Sequence, residues 1–290
     1  MSRIAEKIAR NHTYIIAEIG QNHQGDPAIA RQLIDTAAAA GVDAVKSQKR
    51  HIPSLLTEEE YNRPYDNPHS FGRTYGEHRE RLELSIGQHL ELKAYAESKG
   101  LDYFCSPWDL HSLGEMVDGG FRALKIASAL ISHLPLLDQA AASKLPVVLS
   151  TGMSNLDVVD AAVAAFAGVP ELYVLQCTSS YPSQFEDINL RVLPVFRERY
   201  GRPVGFSGHH RGISVDVAAV AMGACMIERH FTIDRTWKGT DHAASLEPPG
   251  LFKLVRDVRS VEAAMGDGRK VMVAAEEPVA KKLRKVVARA

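Results

Sequence analysis

The sequence predicts an α/β protein folded as a single (β/α)8 TIM barrel, and three observations carry that reading. Eight short apolar runs alternate strictly with eight helix-patterned segments over the 290 residues, the pattern of a parallel sheet covered on both faces, and eight such units close into a barrel. No composition shift marks a linker, so residues 1–290 form one domain. An open doubly wound sheet is the runner-up, but it calls for a G-x-G-x-x-G turn after the first strand, and that spacing is absent.

After a polar lead-in, residues 14–20 read as the first strand, its apolar run broken by Glu18. A carboxylate buried there needs a partner or a site to face. Asp26-Pro27 opens a helix over 28–40, with proline at the first helical position, and Gly41 closes it. The second strand, 43–48, carries Lys46, and 49–85 is a long connection punctuated by Pro53, Pro64, Pro68, Gly72 and Gly76. It is too polar for a regular element, and connections of this length are functional lids or disordered. A helix over 86–99 leads to a strand at 102–107, and a helix over 110–117 leads to a strand at 123–128 with Lys125 inside its apolar run. Helices over 134–142, 156–166 and 190–200 then alternate with strands at 146–151, 172–177 and 204–206. A connecting helix, a strand at 225–227 and a helix over 251–265 complete the count. The tail 271–290 is basic (Lys281, Lys282, Arg284, Lys285, Arg289) and is expected to pack loosely on the surface or against a partner.

Composition narrows the function classes. A net charge of -1 supplies no field for nucleic acid or an acidic bilayer. No run reaches the length of a membrane span and the start lacks the apolar core of a signal peptide, so a cytoplasmic protein is expected. Cys105, Cys177 and Cys225 fall in or at the end of apolar runs, where a free thiol behaves as a small hydrophobe, and no disulfide framework is implied.

In a closed parallel barrel the reactive groups come from the C-terminal strand ends. Those ends carry Glu18, Lys46, Ser106, Lys125, Ser128, Ser150, Thr151, Thr178, Ser207, His209 and His230, with Asp241 in the following loop. Two lysines and several hydroxyls suit phosphate or carboxylate oxygens, and histidines with carboxylates suit a divalent metal and proton transfer. His209 and His230 are 21 residues apart, one strand-to-strand repeat, so the pair could share an ion. Spacing alone favours unrelated polar residues at two strand ends, a two-His pattern being weaker than a closed four-ligand motif, and Glu18 also allows a structural pairing with one of the lysines. His12, His51, His69, His78, His89, His111 and His133 are read as solvated.

Seven motifs in order, Ala-Glu-Ile-Gly-Gln-Asn-His-Gln-Gly (17–25), Ala-Val-Lys-Ser-Gln (44–48), Leu-Lys-Ile-Ala-Ser (124–128), Val-Leu-Ser-Thr-Gly-Met (148–153), Cys-Thr-Ser-Ser-Tyr-Pro (177–182), Ile-Glu-Arg-His-Phe-Thr (227–232) and Asp-His-Ala-Ala-Ser-Leu-Glu-Pro (241–248), resemble the sialic acid synthase family over residues 14–268. The resemblance implies a barrel that condenses phosphoenolpyruvate with an aldose, typically N-acetylmannosamine or a related sugar, giving a 3-deoxy-2-keto acid and phosphate. It implies a divalent metal, commonly Mn²⁺ with Mg²⁺ or Co²⁺ as substitutes, on His209 and His230, and a homodimer. It places Lys46, Lys125, Ser128, Ser150 and Ser207 on phosphoenolpyruvate, adds Gln48, Thr178 and Tyr181 to the substrate-binding set, and assigns proton work to Glu18 and Asp241.

Three positions depart from the family pattern: Leu130 stands where a glutamate is usual, Gly208 where an aspartate is usual, and Lys238-Gly-Thr replaces Pro-Gly-Pro before Asp241. The sequence ends at Ala290, where the family continues into a small antifreeze-like domain that covers the partner's site. Retained chemistry on an altered acceptor is therefore expected. A metal-dependent pyruvate aldolase and a non-catalytic sugar-phosphate-binding barrel are the competing readings.

Overall fold

The computed structural model describes residues 1–285 and is a closed barrel of eight parallel strands in sequence order. The strands are β1 (Tyr14–Gly20), β2 (Ala44–Lys49), β3 (Asp102–Pro107), β4 (Leu124–Ile126), β5 (Val147–Ser150), β6 (Leu172–Cys177), β7 (Val204–Gly208) and β8 (Met226–His230). The α-helices, in order, are α1 (Arg3–Ala9), α2 (Pro27–Ala40), α3 (Ile52–Leu55), α4 (Glu58–Asn62), α5 (Tyr75–Leu82), α6 (Ile86–Ser98), α7 (Leu110–Asp118), α8 (Leu134–Ala142), α9 (Leu156–Ala165), α10 (Val192–Tyr200), α11 (Ser214–Ala221), α12 (Pro248–Met265) and α13 (Glu277–Leu283).

Local chemistry explains the boundaries. Asp26 accepts a hydrogen bond from the Ala28 amide at the start of α2, Pro27 occupies the first turn, and Gly41 ends the helix at φ 82°. Ser85 and Gln88 close a capping box on α6, and Asp109 and Asn155 cap α7 and α9. The strands are buried on both faces, Tyr14–Gly20 along its whole length, because side chains fill the barrel on one side and meet the helical ring on the other.

Five expectations are corrected. The polar lead-in is helix α1, capped by Ser2 and anchored by buried Ile4. The connection 49–85 is neither irregular nor disordered: it carries α3, α4 and α5, because Thr57 with Glu60, and Thr74, cap helix starts while Pro53 sits in a first turn, where proline is tolerated. β4 has only three residues because a 3-10 turn begins at Ser128, and β8 runs through His230 instead of stopping at Ile227. His78 and His89 are buried, not solvated, and the Nδ1 of His89 lies 2.9 Å from the Tyr103 hydroxyl. The basic tail holds α13, exposed throughout apart from half-buried Ala280, and Arg289 lies outside the described residues. Among the described residues no helix is long and apolar enough to cross a membrane.

Candidate active site

Strand register builds the site. Glu18 on β1 pairs in register with Lys46 on β2 and with His230 on β8, which sets three functional side chains at one height on neighbouring strands. A bulge at Glu18 and Gly20 ends that register, and Gly20 adopts φ 47°. A Cβ at Gly20 would stand 3.1 Å from Glu18 Oε1 and 3.2 Å from Gln48 Nε2, so the left-handed turn and the close approach both ask for glycine.

Two buried ion pairs line a polar cavity of about 240 Å³ at the C-terminal mouth. Lys46 Nζ lies 2.6 Å from Glu18 Oε2 and donates to Ser106 Oγ at 3.0 Å. Lys125 Nζ lies 3.4 Å from Glu228 Oε1, which also accepts from Ser207 Oγ at 3.0 Å. Gln48 Nε2 donates to Glu18 Oε1 at 3.0 Å. Burial pushes the Glu18 carboxyl above its ordinary range against the pull of Lys46, whereas at Glu228 burial is outweighed by Lys125 and Lys46, which hold that carboxyl at about 2. The cavity therefore pairs a carboxyl raised by burial with one held low by two ammonium groups.

The imidazoles of His209 and His230 face each other with ring centroids 5.4 Å apart, and Tyr181 packs 4.2 Å from the His209 ring. His209 Nδ1 donates to the Thr178 carbonyl at 2.9 Å, which fixes the tautomer and leaves Nε2 as a lone-pair donor. His230 Nδ1 is buried without a hydrogen-bond partner and lies 3.9 Å from Asp241 Oδ2. Burial lowers the His230 pKa to about 4, so it is neutral near pH 7. Among the described residues no group of three or more His, Cys, Asp and Glu stands at metal-ligand spacing.

Of the residues expected at the site, Glu18, Lys46, Gln48, Ser106, Lys125, Ser128, Ser150, Tyr181, Ser207, His209 and His230 line the cavity. Asp241 is not part of that lining, and its Oδ2 lies 3.9 Å from His230 Nδ1. Thr178 lies outside that lining: its hydroxyl donates to the Asp187 carbonyl at 3.0 Å, and its own carbonyl accepts from His209. His209 and His230 are brought together, their ring centroids 5.4 Å apart, so they are not unrelated residues at two strand ends.

Sequence reasoning missed Glu228, although it stands two residues before His230 and so on the same strand face. It also treated Cys177 as an inert core thiol. That sulfur lines the cavity, accepts from Ser128 Oγ at 3.5 Å and lies 3.9 Å from His209 Nδ1. Burial pushes the thiol up, but His209, Ser128 and Lys125 outweigh it and hold the thiol below its ordinary value, at about 7. Two of the three departures from the expected motifs fit their surroundings: Leu130 is buried, and a Cβ on Gly208 would come within 2.7 Å of the Phe206 ring.

A parallel barrel whose mouth gathers two ammonium groups, two buried carboxylates and a facing imidazole pair defines an enzyme of the class that handles small, multiply charged acids. The chain belongs to the NeuB family, whose model matches residues 33–270. It is 42% identical over 276 residues to N-acetylneuraminate-9-phosphate synthase of Homo sapiens, a match that covers 94% of this chain and 77% of the relative. It is 36% identical over 263 residues to N,N'-diacetyllegionaminic acid synthase of Campylobacter jejuni, covering 89% and 79%. Among solved structures, the N-acetylneuraminic acid synthetase of Leptospira borgpetersenii in complex with citrate superposes with a TM-score of 0.80 at 34% identity, covering 95% of this chain and 94% of that one.

Proposed function

We propose that this protein condenses phosphoenolpyruvate with an aldose on a divalent metal, giving a 3-deoxy-2-keto sugar acid and phosphate. Family membership carries the synthase reaction itself. The observation that supports the residue roles is the convergence of both lysine–carboxylate pairs and both imidazoles on one cavity.

Lys46 and Lys125 neutralise the charge of phosphoenolpyruvate, and Ser128, Ser150 and Ser207 supply hydroxyls beside them. Ser150 Oγ is buried with no partner of its own, as expected of a group that waits for a ligand. C3 of phosphoenolpyruvate attacks the aldehyde carbon of the acceptor, and positive charge develops at C2. Glu228, held ionised, faces that charge, and Glu18, with its raised pKa, takes the proton from the water that adds at C2. Cleavage of the C2–O bond of the resulting adduct then releases phosphate. Asp241, whose Oδ2 lies 3.9 Å from His230 Nδ1, serves proton transfer at the acceptor oxygen.

His209 Nε2 and the partnerless His230 Nδ1 fit a divalent ion such as Mn²⁺, with Mg²⁺ or Co²⁺ as substitutes and waters completing the shell. Held there, the ion would polarise the acceptor carbonyl as a Lewis acid. The three free cysteines and the lack of a long apolar helix among the described residues support a cytoplasmic setting, and the family resemblance supports a homodimer.

The test is an aldose panel of hexoses, pentoses and acylated hexosamines with Mn²⁺ and phosphoenolpyruvate carrying ¹⁸O at the C2 bridging position. Label in the released phosphate is the expected result. No phosphate release from phosphoenolpyruvate, together with pyruvate consumption in a parallel panel where pyruvate replaces it, would identify an aldolase, and a blank across both panels with metal bound would identify a binding protein.

A further inference from the structure

Outside the barrel wall a second pocket, of about 350 Å³, opens between the loop after β7, the loop after β8 and the start of α12. No residue lines both this pocket and the catalytic cavity. Its charge is one-sided: Arg211, Arg229, Arg235 and Lys253 line it against a single carboxylate, Glu247. In a chain whose formal net charge is -1, that is a local excess of cations. Asp216 pairs with Arg229, and Glu247 pairs with Arg235 at 3.0 Å, but among the described residues Arg211 and Lys253 have no carboxylate within ion-pair distance. Arg229 is only 1% exposed. It donates from Nη1 to the Gly212 carbonyl at 2.9 Å and from Nη2 to the His210 carbonyl at 2.6 Å, and its Nε is buried without a partner, a cost to folding unless a ligand completes it. The first turn of α12 adds the positive end of its dipole, since Pro249 and Gly250 belong to the wall and no side chain caps this 18-residue helix.

We propose that this pocket binds a phosphomonoester at a site separate from catalysis. In (β/α)8 barrels the loops after the seventh and eighth strands, together with a helix start, are a recurrent cradle for phosphate. A dianion answers the two unpaired cations, where a carboxylate would answer only one. The volume falls in the range of about 300–1,000 Å³ that holds whole small molecules, so there is room for the body to which the phosphate is esterified, and Ile213 and Leu246 offer it an apolar wall. Binding there needs nothing from the condensation chemistry. It does reach the loop that carries Asp241, because Ser245 lines the pocket and its Oγ donates to the Asp241 carbonyl at 2.7 Å.

The test is titration calorimetry of the full chain with glucose 6-phosphate, inorganic phosphate and glucose, on the wild-type protein and on Arg211→Gln, Lys253→Gln, Glu247→Gln and Lys125→Met. The expected wild-type result is binding of glucose 6-phosphate, weaker binding of inorganic phosphate and none of glucose. Arg211→Gln and Lys253→Gln each raise the Kd for glucose 6-phosphate roughly 3- to 10-fold, as loss of one exposed charge contact does, whereas Glu247→Gln lowers it. Opposite signs from substitutions in one pocket exclude a general loss of folding. Lys125→Met, which disables the catalytic cavity, leaves the Kd unchanged. Absence of binding, inorganic phosphate binding as tightly as the ester, or a Kd indifferent to Arg211→Gln and Lys253→Gln would overturn the assignment. So would binding lost in a folded Lys125→Met, which would seat the ester in the catalytic cavity. Should Lys125→Met not fold, the Arg211, Lys253 and Glu247 substitutions decide the matter by themselves.

Discussion

Lys125 and Glu228 show how a single residue can be read for both stability and chemistry. Both are buried, and each lessens the other's desolvation cost. Lys125→Met should therefore lower unfolding free energy by about 3 kcal/mol, because Glu228 loses a counter-charge, and reduce kcat by about 10²- to 10³-fold, because phosphoenolpyruvate loses one as well. Urea unfolding and phosphate release measure the two effects separately, and a variant that loses stability but keeps its rate would remove Lys125 from the reaction. At Glu18, Glu18→Gln keeps the shape and the contact with Gln48 but cannot take a proton. Its kcat should fall by about 10²- to 10⁴-fold and lose its acid limb, as read in a pH–rate profile.

The elements matter because they fix where such residues stand. β7 and β8 are joined behind the histidines by a buried cluster in which Arg229 pairs with Asp216 of α11 and donates through Nη2 to the His210 carbonyl at 2.6 Å. Arg229 alternates with Glu228 and His230, so its outward anchoring sets the inward aim of both. Asp216→Ala should cost about 3–5 kcal/mol by leaving Arg229 buried without its partner, and should weaken Mn²⁺ binding by way of the displaced histidines. Denaturant unfolding and metal content after dialysis report the two effects. Gly152 is tighter still: a Cβ there would stand 2.2 Å from Ser179 Oγ and 2.9 Å from Ser128 Oγ, so Gly152→Ala should raise the KM for phosphoenolpyruvate by displacing Ser128. The alternation of strands and helices was legible in the sequence because each has its own apolar period, but α3, α4 and α5 were not, since short helices held by caps carry too few residues to show one.

For the molecule as a whole, burial of histidines predicts the response to acid. His23 and His230 are lowered to about 4 and His89 to about 3, all chiefly by burial. Between the ordinary value near about 6.5 and those values the unfolded chain binds more protons than the folded one, so stability rises with pH across that window and falls on acidification through it. Carboxylates held low, such as Glu228 at about 2, add their loss only further down. The urea midpoint of the metal-free protein should thus drop most steeply between about pH 6.5 and pH 4, and a flat profile there would contradict the burial of these rings. Chelation should abolish condensation and Mn²⁺ should restore it, with His209→Ala and His230→Ala each lowering bound metal measured by atomic emission.

The amino-acid sequence by itself determined the barrel, its strand order and the roster of polar residues at strand ends, because hydrophobic periodicity and turn chemistry are local properties written into consecutive residues. Only the tertiary structure decided which of those residues meet. Thr178 and Ser128 look alike in sequence, yet one hydroxyl turns away to Asp187 while the other faces the cavity. Glu228 and Cys177 gained their meaning from neighbours on other elements. Pairing, desolvation and missing partners are relations across space, and they exist only once the closed sheet has set its register.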